Sequence, residues 1–337
     1  MYAYNPRVSG RATLDEVATR AGVSRMTVSN VYNRPEVVAQ ATQTKVRRAA
    51  AALRYAGPSP AGRTLRRGRS GVLGLVVEEA LPYLFTDPGT AALMHGITAQ
   101  ASERDLAIQV IHAHGPSAAQ KVADSIVDGW VVLGLAADHP AMRAVLDRRL
   151  PVATTPGPLV DGAAYVTSDV VAGTAAAIQH LAGLGHARIT IVTPPPAGPI
   201  WQPRLGGYLA AAAAGGVAVD VVECADNSRR AGVLAGEQIL AGRQPTAVVA
   251  ATDIIALGVL DAARVADVRI PQELSVVGYD DVEEAGSASL TTIRQDLFEQ
   301  GRDAARLAMD ADGSGDGHTH PIELVVRAST ARPRSRP

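Results

Sequence analysis

The sequence is short of several things, and each shortage excludes something. One cysteine, Cys224, stands in 337 residues, so no internal disulfide can form and a reducing compartment is expected. No run approaches the 18 or so uninterrupted apolar residues of a membrane span. The first 30 residues carry charges throughout and lack the apolar centre of a signal peptide, which points to a cytoplasmic protein with no membrane partner. Aromatic residues make up only 4%, so few side chains are available to stack on a ligand ring. No G-x-S-x-G elbow occurs, and with it goes the simplest hydrolase nucleophile. Neither an enzyme nor a cofactor is expected.

What is present describes a folded protein. Apolar residues reach 47% and charged ones 19%, the balance of a globular chain. The length exceeds one compact core, so two or three folding units are expected. Net charge is −1, but it is unevenly spread. Residues 1–70 hold 13 Lys and Arg against Asp15, Glu16 and Glu36, a balance of +10, whereas residues 71–337 carry −11. A basic head on an acidic body suits a polyanion-binding module joined to a second domain of other purpose.

The head has its own pattern. In "TLDEVATRAGVSRMTVSNVYN", Thr13 and Glu16 form a capping box at the start of a helix lined by Leu14, Val17, Ala18 and Ala21. Gly22 ends that helix where a left-handed residue is needed, and Ser24 can cap the next one. Val28 and Val31 of the second helix face inward, while Arg25, Met26, Thr27, Ser29, Asn30 and Asn33 form its polar face. Two short helices about a glycine turn read as a helix-turn-helix with base-reading residues at the start of the second helix. A third helix is expected from about Thr42 to Leu53, with Lys45, Arg47 and Arg48 available for phosphates.

"GPSPAGRT", Gly57–Thr64, imitates a phosphate-binding loop, with Arg63 where that loop has lysine. The segment before it is the end of a basic helix, not a strand. Pro58 and Pro60 also remove N–H donors that such a cradle requires. The spacing is a coincidence.

Thr13–Asn33 closely resembles the signature of the lactose-repressor (LacI/GalR) family of bacterial transcription regulators. "HLAGLGHARITIV", "RLGGY", "PTAVVAATDIIALGVL", "ELSVVGYDD", "SLTTIRQDL" and "ELVVRAST" resemble that family's body, in its order. The resemblance covers about residues 12–332. It implies a sequence-specific DNA-binding regulator, by default a repressor, that acts as a homodimer on a pseudopalindromic operator and answers to a small-molecule effector, a sugar or sugar derivative. It further implies that residues 58–70 are a hinge, in which Leu65 wedges into the minor groove and Arg63 contacts phosphate. The hinge departs from type: Tyr55 and Pro58 are three apart rather than two, and Gly62 replaces a common alanine at a cost of about 1 kcal/mol in helix propensity. In the second helix, Arg25 can grip guanine and Met26 a thymine methyl. Thr13, Ser24, Thr27, Ser29, Asn33 and Thr42 match phosphate or positioning residues, and Asn30 stands where the family often has arginine.

After Gly71, short apolar strands alternate with alanine-rich helices: "GVLGLVV", "LAIQVI", "GWVVLGL", "PVATT", "RITIV", "VAVDVV", "TAVVAA" and "LSVVGY" read as buried parallel strands. The expected fold is an N-terminal all-α helix-turn-helix domain plus a bilobal α/β core of two doubly wound parallel sheets, resembling periplasmic binding proteins. The expected limits are 1–57 for the DNA-binding domain and 71–332 for the core. One lobe would take about 71–167 and 298–323, the other about 168–297 and 324–332, leaving a tail at 333–337. No heptad-patterned helix follows "RASTARP", so assembly beyond a dimer is not expected.

By the resemblance, Arg204 and Asp280 hold the effector, with Ser168, Asn227, Thr252 and Asp253 at other cleft positions. Glu78, Tyr83 and Trp201 complete the candidates. Pro156 stands where sugar-responsive relatives carry a hydroxyl acceptor, and Asn227 where an aromatic can stack. His112/His114 and His318/His320 are H-x-H pairs without cysteine or acidic partners at metal-site spacing, so no metal site is expected.

Overall fold

The computed structural model describes residues 12–57, 68–157, 159–242, 245–310 and 317–334. The chain divides after Ser70 into two compact units, and each follows from its own local chemistry.

The first unit contains helices α1 (Leu14–Ala21), α2 (Arg25–Asn33) and α3 (Gln40–Ala52). The capping box at Thr13 is formed: its backbone N–H donates to Glu16 Oε2 at 2.6 Å, and Glu16 N–H donates to Thr13 Oγ1 at 3.2 Å. Gly22 ends α1 at φ 58°, a conformation that costs glycine little. Ser24 Oγ accepts from Thr27 N–H at 3.1 Å and starts α2. Val17, Val28, Val31 and Val46 form the centre of a small core with Ala18, Ala21, Ala49 and Ala50. Helix α3 begins at Gln40, two residues before the expected start, so Thr42 lies in its first turn, where its N–H donates to Ala39 O.

The second unit has two six-stranded sheets of one plan. Sheet A is ordered β11-β5-β4-β3-β1-β2 and sheet B β12-β10-β9-β8-β6-β7. In sheet A, β1 is Val72–Val77, β2 Ala107–His112, β3 Gly129–Leu133, β4 Val152–Thr155, β5 Ala164–Ser168 and β11 Gly317–His320. Sheet B has β6 Arg188–Thr193, β7 Ala218–Glu223, β8 Ala247–Ala250, β9 Ser275–Asp280, β10 Thr291–Gln295 and β12 Ile322–Val325. Helices cover both faces of each sheet, as parallel strands require. All pairings are parallel except β10 with β12.

The eight strands expected from apolar runs are all present, but β2 and β7 are not buried. Each has only one neighbour and alternates largely between exposed and half-buried residues; an edge position, not composition, decides this. Of four further strands, β5, β10 and β11 are short and rich in Thr, Ser, His or Gln and carry little apolar signal, while β12 is apolar but only four residues long. The chain passes between the sheets after Ser168, after Gln295 and at Pro321, between β11 and β12. The last crossing falls slightly before the expected limit at 323, because Ile322 already pairs with Gln295 in sheet B. Among the described residues no helix is long and apolar enough to cross a membrane.

Candidate functional site

In the head, the candidate surface is the start of α2. Arg25 and Met26 are both exposed, Met26 at 70%. Arg25 makes one loose ion pair with Asp15 at 3.6 Å, both side chains well exposed; such a pair contributes little and is easily given up. Ser24 and Thr27 share a hydroxyl–hydroxyl bond of 2.9 Å, and Asn30 is half-buried.

Ser29 departs from the expected outer face: it is 7% exposed. Asn33, one turn later, folds back and donates to Ser29 O at 2.6 Å and to Ser29 Oγ at 3.3 Å. Polarity suggested an outward serine, but serine is small enough to be covered by a neighbour on its own helix. Gly62, Arg63 and Leu65 lie outside the described residues.

In the core, a cleft opens between the lobes at the C-terminal ends of the sheet strands, where doubly wound sheets bind their ligands. Seven of the candidates line it: Glu78, Tyr83, Trp201, Arg204, Asn227, Thr252 and Asp280. Pro156 lines it too.

Arg204 and Asp280 form its floor. Arg204 is 7% exposed and donates through Nη1 to Ala251 O. Its guanidinium carbon lies 3.8 Å from the centre of the Tyr279 ring and 5.8 Å from that of Trp201, close enough for cation–π attraction. The Arg204 Nη1–Asp280 Oδ1 distance is 3.8 Å. Burial works against the guanidinium charge, yet Asp280, Tyr279 and Tyr208 hold the arginine above its ordinary pKa. Arg204 Nε is buried without a hydrogen-bond partner.

Asp280 ends β9 with φ 115°, a conformation a non-glycine residue rarely adopts and one that marks binding sites. Burial pushes its carboxyl up to about 8 against the opposing pull of Arg204. Gln295 Nε2 donates to Asp280 Oδ1 at 2.6 Å, and Ser168 Oγ donates to Gln295 Oε1 at 2.7 Å. Ser168 therefore does not reach the cleft. It stands one layer behind, where two of the three chain crossings meet, because β5 ends beneath the cleft rather than beside it.

Asp253 is the second correction. It is fully buried, accepts from Thr292 Oγ1 at 2.5 Å and from Val282 N–H at 2.9 Å, and is pushed up to about 6 by burial. The first helical residue after β8 points down into the lobe, whereas the N-cap Thr252 before it faces the cleft. Thr252 Oγ1 donates to Asn227 Oδ1 at 2.6 Å. Asn227 Nδ2 then donates across the cleft to Tyr83 Oη at 2.6 Å and to Asp87 Oδ1 at 3.1 Å. This chain latches one lobe to the other. Burial, reinforced by Asp87, pushes the Tyr83 phenol far above its ordinary value.

Asp87, Gln295 and Glu79 are lining residues that the sequence reading missed. Asp87 had a local signal, since Asp before Pro88 caps the helix Pro88–Glu103 by accepting Thr90 N–H at 2.8 Å. Gln295 had none; its partners are remote in sequence.

Comparison with known proteins gives a consistent result. The family of bacterial regulatory proteins, lacI family, matches residues 13–57, and the periplasmic binding protein-like domain matches residues 178–330. An HTH-type transcriptional regulator of Mycobacterium tuberculosis is 31% identical, covering 98% of this chain and 99% of its own. Among solved structures, a complex of the transcriptional regulator CelR with cellobiose is similar at TM-score 0.69 and 30% identity, over 95% of this chain and 100% of that one. The lac repressor dimer bound to operator and the anti-inducer ONPF is similar at TM-score 0.75 and 26% identity, over 95% and 99%.

Proposed function

The chain belongs to the LacI family of bacterial regulatory proteins, and from that premise we propose a homodimeric repressor whose grip on a pseudopalindromic operator is set by an uncharged, polyhydroxylated effector in the interlobe cleft. The observation that carries the reading is the charge inventory of the cleft. Glu78, Glu79, Asp87 and Asp280 line it, and among the described lining residues Arg204 is the single cation. That cation already faces Asp280 and Ala251 O. A phosphorylated or carboxylated ligand would meet repulsion, whereas hydroxyl groups donate well to carboxylates. Trp201 offers an apolar wall to the same ligand. The sugar named with CelR and the operator named with the lac repressor are consistent with this reading.

Coupling has a physical route. Effector hydroxyls on Asp280 compete with Gln295 for its carboxyl oxygen, and Gln295 also holds Ser168 at another crossing. A ligand reaching Asn227 displaces it from Tyr83 and Asp87. Both changes alter the relation of the lobes, and an effector that prefers one relation shifts operator affinity by that preference. In the head, Arg25 and Met26 read bases in the major groove; Ser24 and Thr27 position the helix on phosphates, as do Thr13 and Thr42, while Asn30 sits beside the reading pair. Arg63 and Leu65 contact the centre of the operator.

Fluorescence anisotropy on DNA from the protein's own promoter, with a panel of neutral and phosphorylated sugars, tests this. One neutral sugar should change operator affinity, and Asp280→Ala should bind DNA normally yet ignore it. Arg25→Ala should lose about 1–3 kcal/mol of operator affinity and relax one base position. A response confined to phosphorylated sugars, or an intact response in Asp280→Ala, overturns the assignment.

A further inference from the structure

The two H-x-H pairs look alike in sequence, but the fold treats them differently. His112 and His114 stack at 5.5 Å between ring centres, and His112 Nε2 lies 3.2 Å from Glu78 O. His318 and His320 stack at 4.4 Å and both turn to a third side chain, Asp303, on the helix Leu297–Leu307. His318 Nδ1 lies 2.8 Å and His320 Nε2 3.0 Å from the same oxygen, Asp303 Oδ2. Residues two apart on a strand share one face, which is how β11 presents both rings together. Arg306 donates to the other oxygen, Asp303 Oδ1, at 3.0 Å, and fixes which carboxylate oxygen faces the imidazoles.

From this convergence we infer that Asp303, His318 and His320 form a binding site for a divalent transition-metal ion of the zinc class. Two imidazole nitrogens and one carboxylate oxygen lie within 4.8 Å of one another. Metal bonds of about 2.0–2.1 Å at tetrahedral angles place such atoms roughly 3.3 Å apart, so no pair of donors within 4.8 Å need close by more than about 1.5 Å. Imidazole with carboxylate, without thiolate, suits Zn(II), Co(II) or Ni(II). Arg306 plays the orienting part that outer partners of ligating carboxylates commonly play. His320 and Asp303 are 9% and 18% exposed in their side chains, whereas His318 is 50% exposed, which leaves the solvent side open for a water or exchangeable ligand. Among the described residues, no other group of His, Cys, Asp and Glu brings three donors together in this way.

The position gives the ion a purpose. His320 directly precedes the crossing at Pro321, and its carbonyl accepts from Asp169 N–H at another crossing, at 3.1 Å. Asp303 belongs to the helix that starts just after the crossing at Gln295 and whose Leu297 lines the cleft. A bound ion would fasten β11 to that helix where the three connections gather, and so stiffen the joint between the lobes.

The test uses the full chain, stripped with chelator and titrated calorimetrically with zinc chloride, and in parallel with cobalt chloride while visible absorption is recorded. One equivalent should bind, with cobalt giving the bands of low-coordinate nitrogen and oxygen ligation and zinc raising the melting temperature. His318→Ala, at a half-exposed position, and Asp303→Asn should each weaken binding more than tenfold and abolish the zinc-dependent rise. Unchanged melting of the metal-free variants certifies that they are folded. His112→Ala/His114→Ala should bind as the parent does. Absence of saturable binding with Kd below about 0.1 mM, or loss of binding in the His112/His114 variant instead, overturns the proposal.

Discussion

The two lobes are built to one strand order, yet they furnish the cleft in opposite ways. Sheet B supplies side chains that are held from behind: Asp280 by Gln295, Asn227 by Thr252, and Arg204 by Ala251 O and the Tyr279 ring. Sheet A supplies Glu78 and Glu79, which are exposed, and Tyr83 and Asp87, which reach across to Asn227. One wall is rigid before any ligand arrives, and the other is a rim that meets it. An equal strand order therefore does not mean equal function; what differs is the layer of polar partners behind each wall. Rigid partners limit what can bind, while the rim sets how the lobes close.

The contrast can be broken most directly at Arg204. Arg204→Met should lower core stability by about 3 kcal/mol in urea unfolding, because it removes a buried cation facing Asp280; a loss under about 0.5 kcal/mol, typical of surface sites, would mean that the sheet B wall is no more fixed than the other. The next effect is one of pH. Asp280 and Asp253 are raised to about 8 and about 6 in the fold, above the unfolded value near 4, so the native state holds more protons. Their contribution is fully favourable below about pH 4 and is lost as pH rises through those folded values. Asp280→Asn, which keeps an acceptor for Gln295, should flatten the decline between about pH 6 and 8. A decline of unchanged slope would remove Asp280 from the account. Smaller again is the latch: Asn227→Ala should leave stability within about 1 kcal/mol while widening the interlobe angle seen by solution scattering. Smallest is the rim. Glu78→Gln should alter stability by less than about 0.5 kcal/mol and change only effector affinity; a larger change in unfolding would show that the rim, too, is held.

Much of the head could be read in the sequence because its rules are local. Thr13 finds Glu16, Gly22 ends its own helix and Ser24 caps the next within a few residues. Arg204 and Asp280 were legible through their motifs, which fix strand ends. Depth was not legible. Ser168 and Asp253 lie in the right segments but one layer behind the cleft, since a strand end or helix start does not say which neighbour faces the ligand. Ser29 was misjudged for the same reason. Gln295 and Asp303 were invisible because their meaning comes from partners on other elements: Gln295 joins Ser168 to Asp280, and Asp303 turns one of two similar histidine pairs into a three-donor group.

The short run Gly317–Val325 also bears on how the protein is made. It lays β11 along β5 in one sheet and, after Pro321, β12 along β10 in the other. On the ribosome, the three helices of the head emerge complete long before this run appears. Until it does, β5 and β10 lack their outer partners, and an unfilled strand edge is the kind of surface on which nascent chains pair wrongly. A single late segment then adds the last strand to both sheets, so neither lobe can finish without the other.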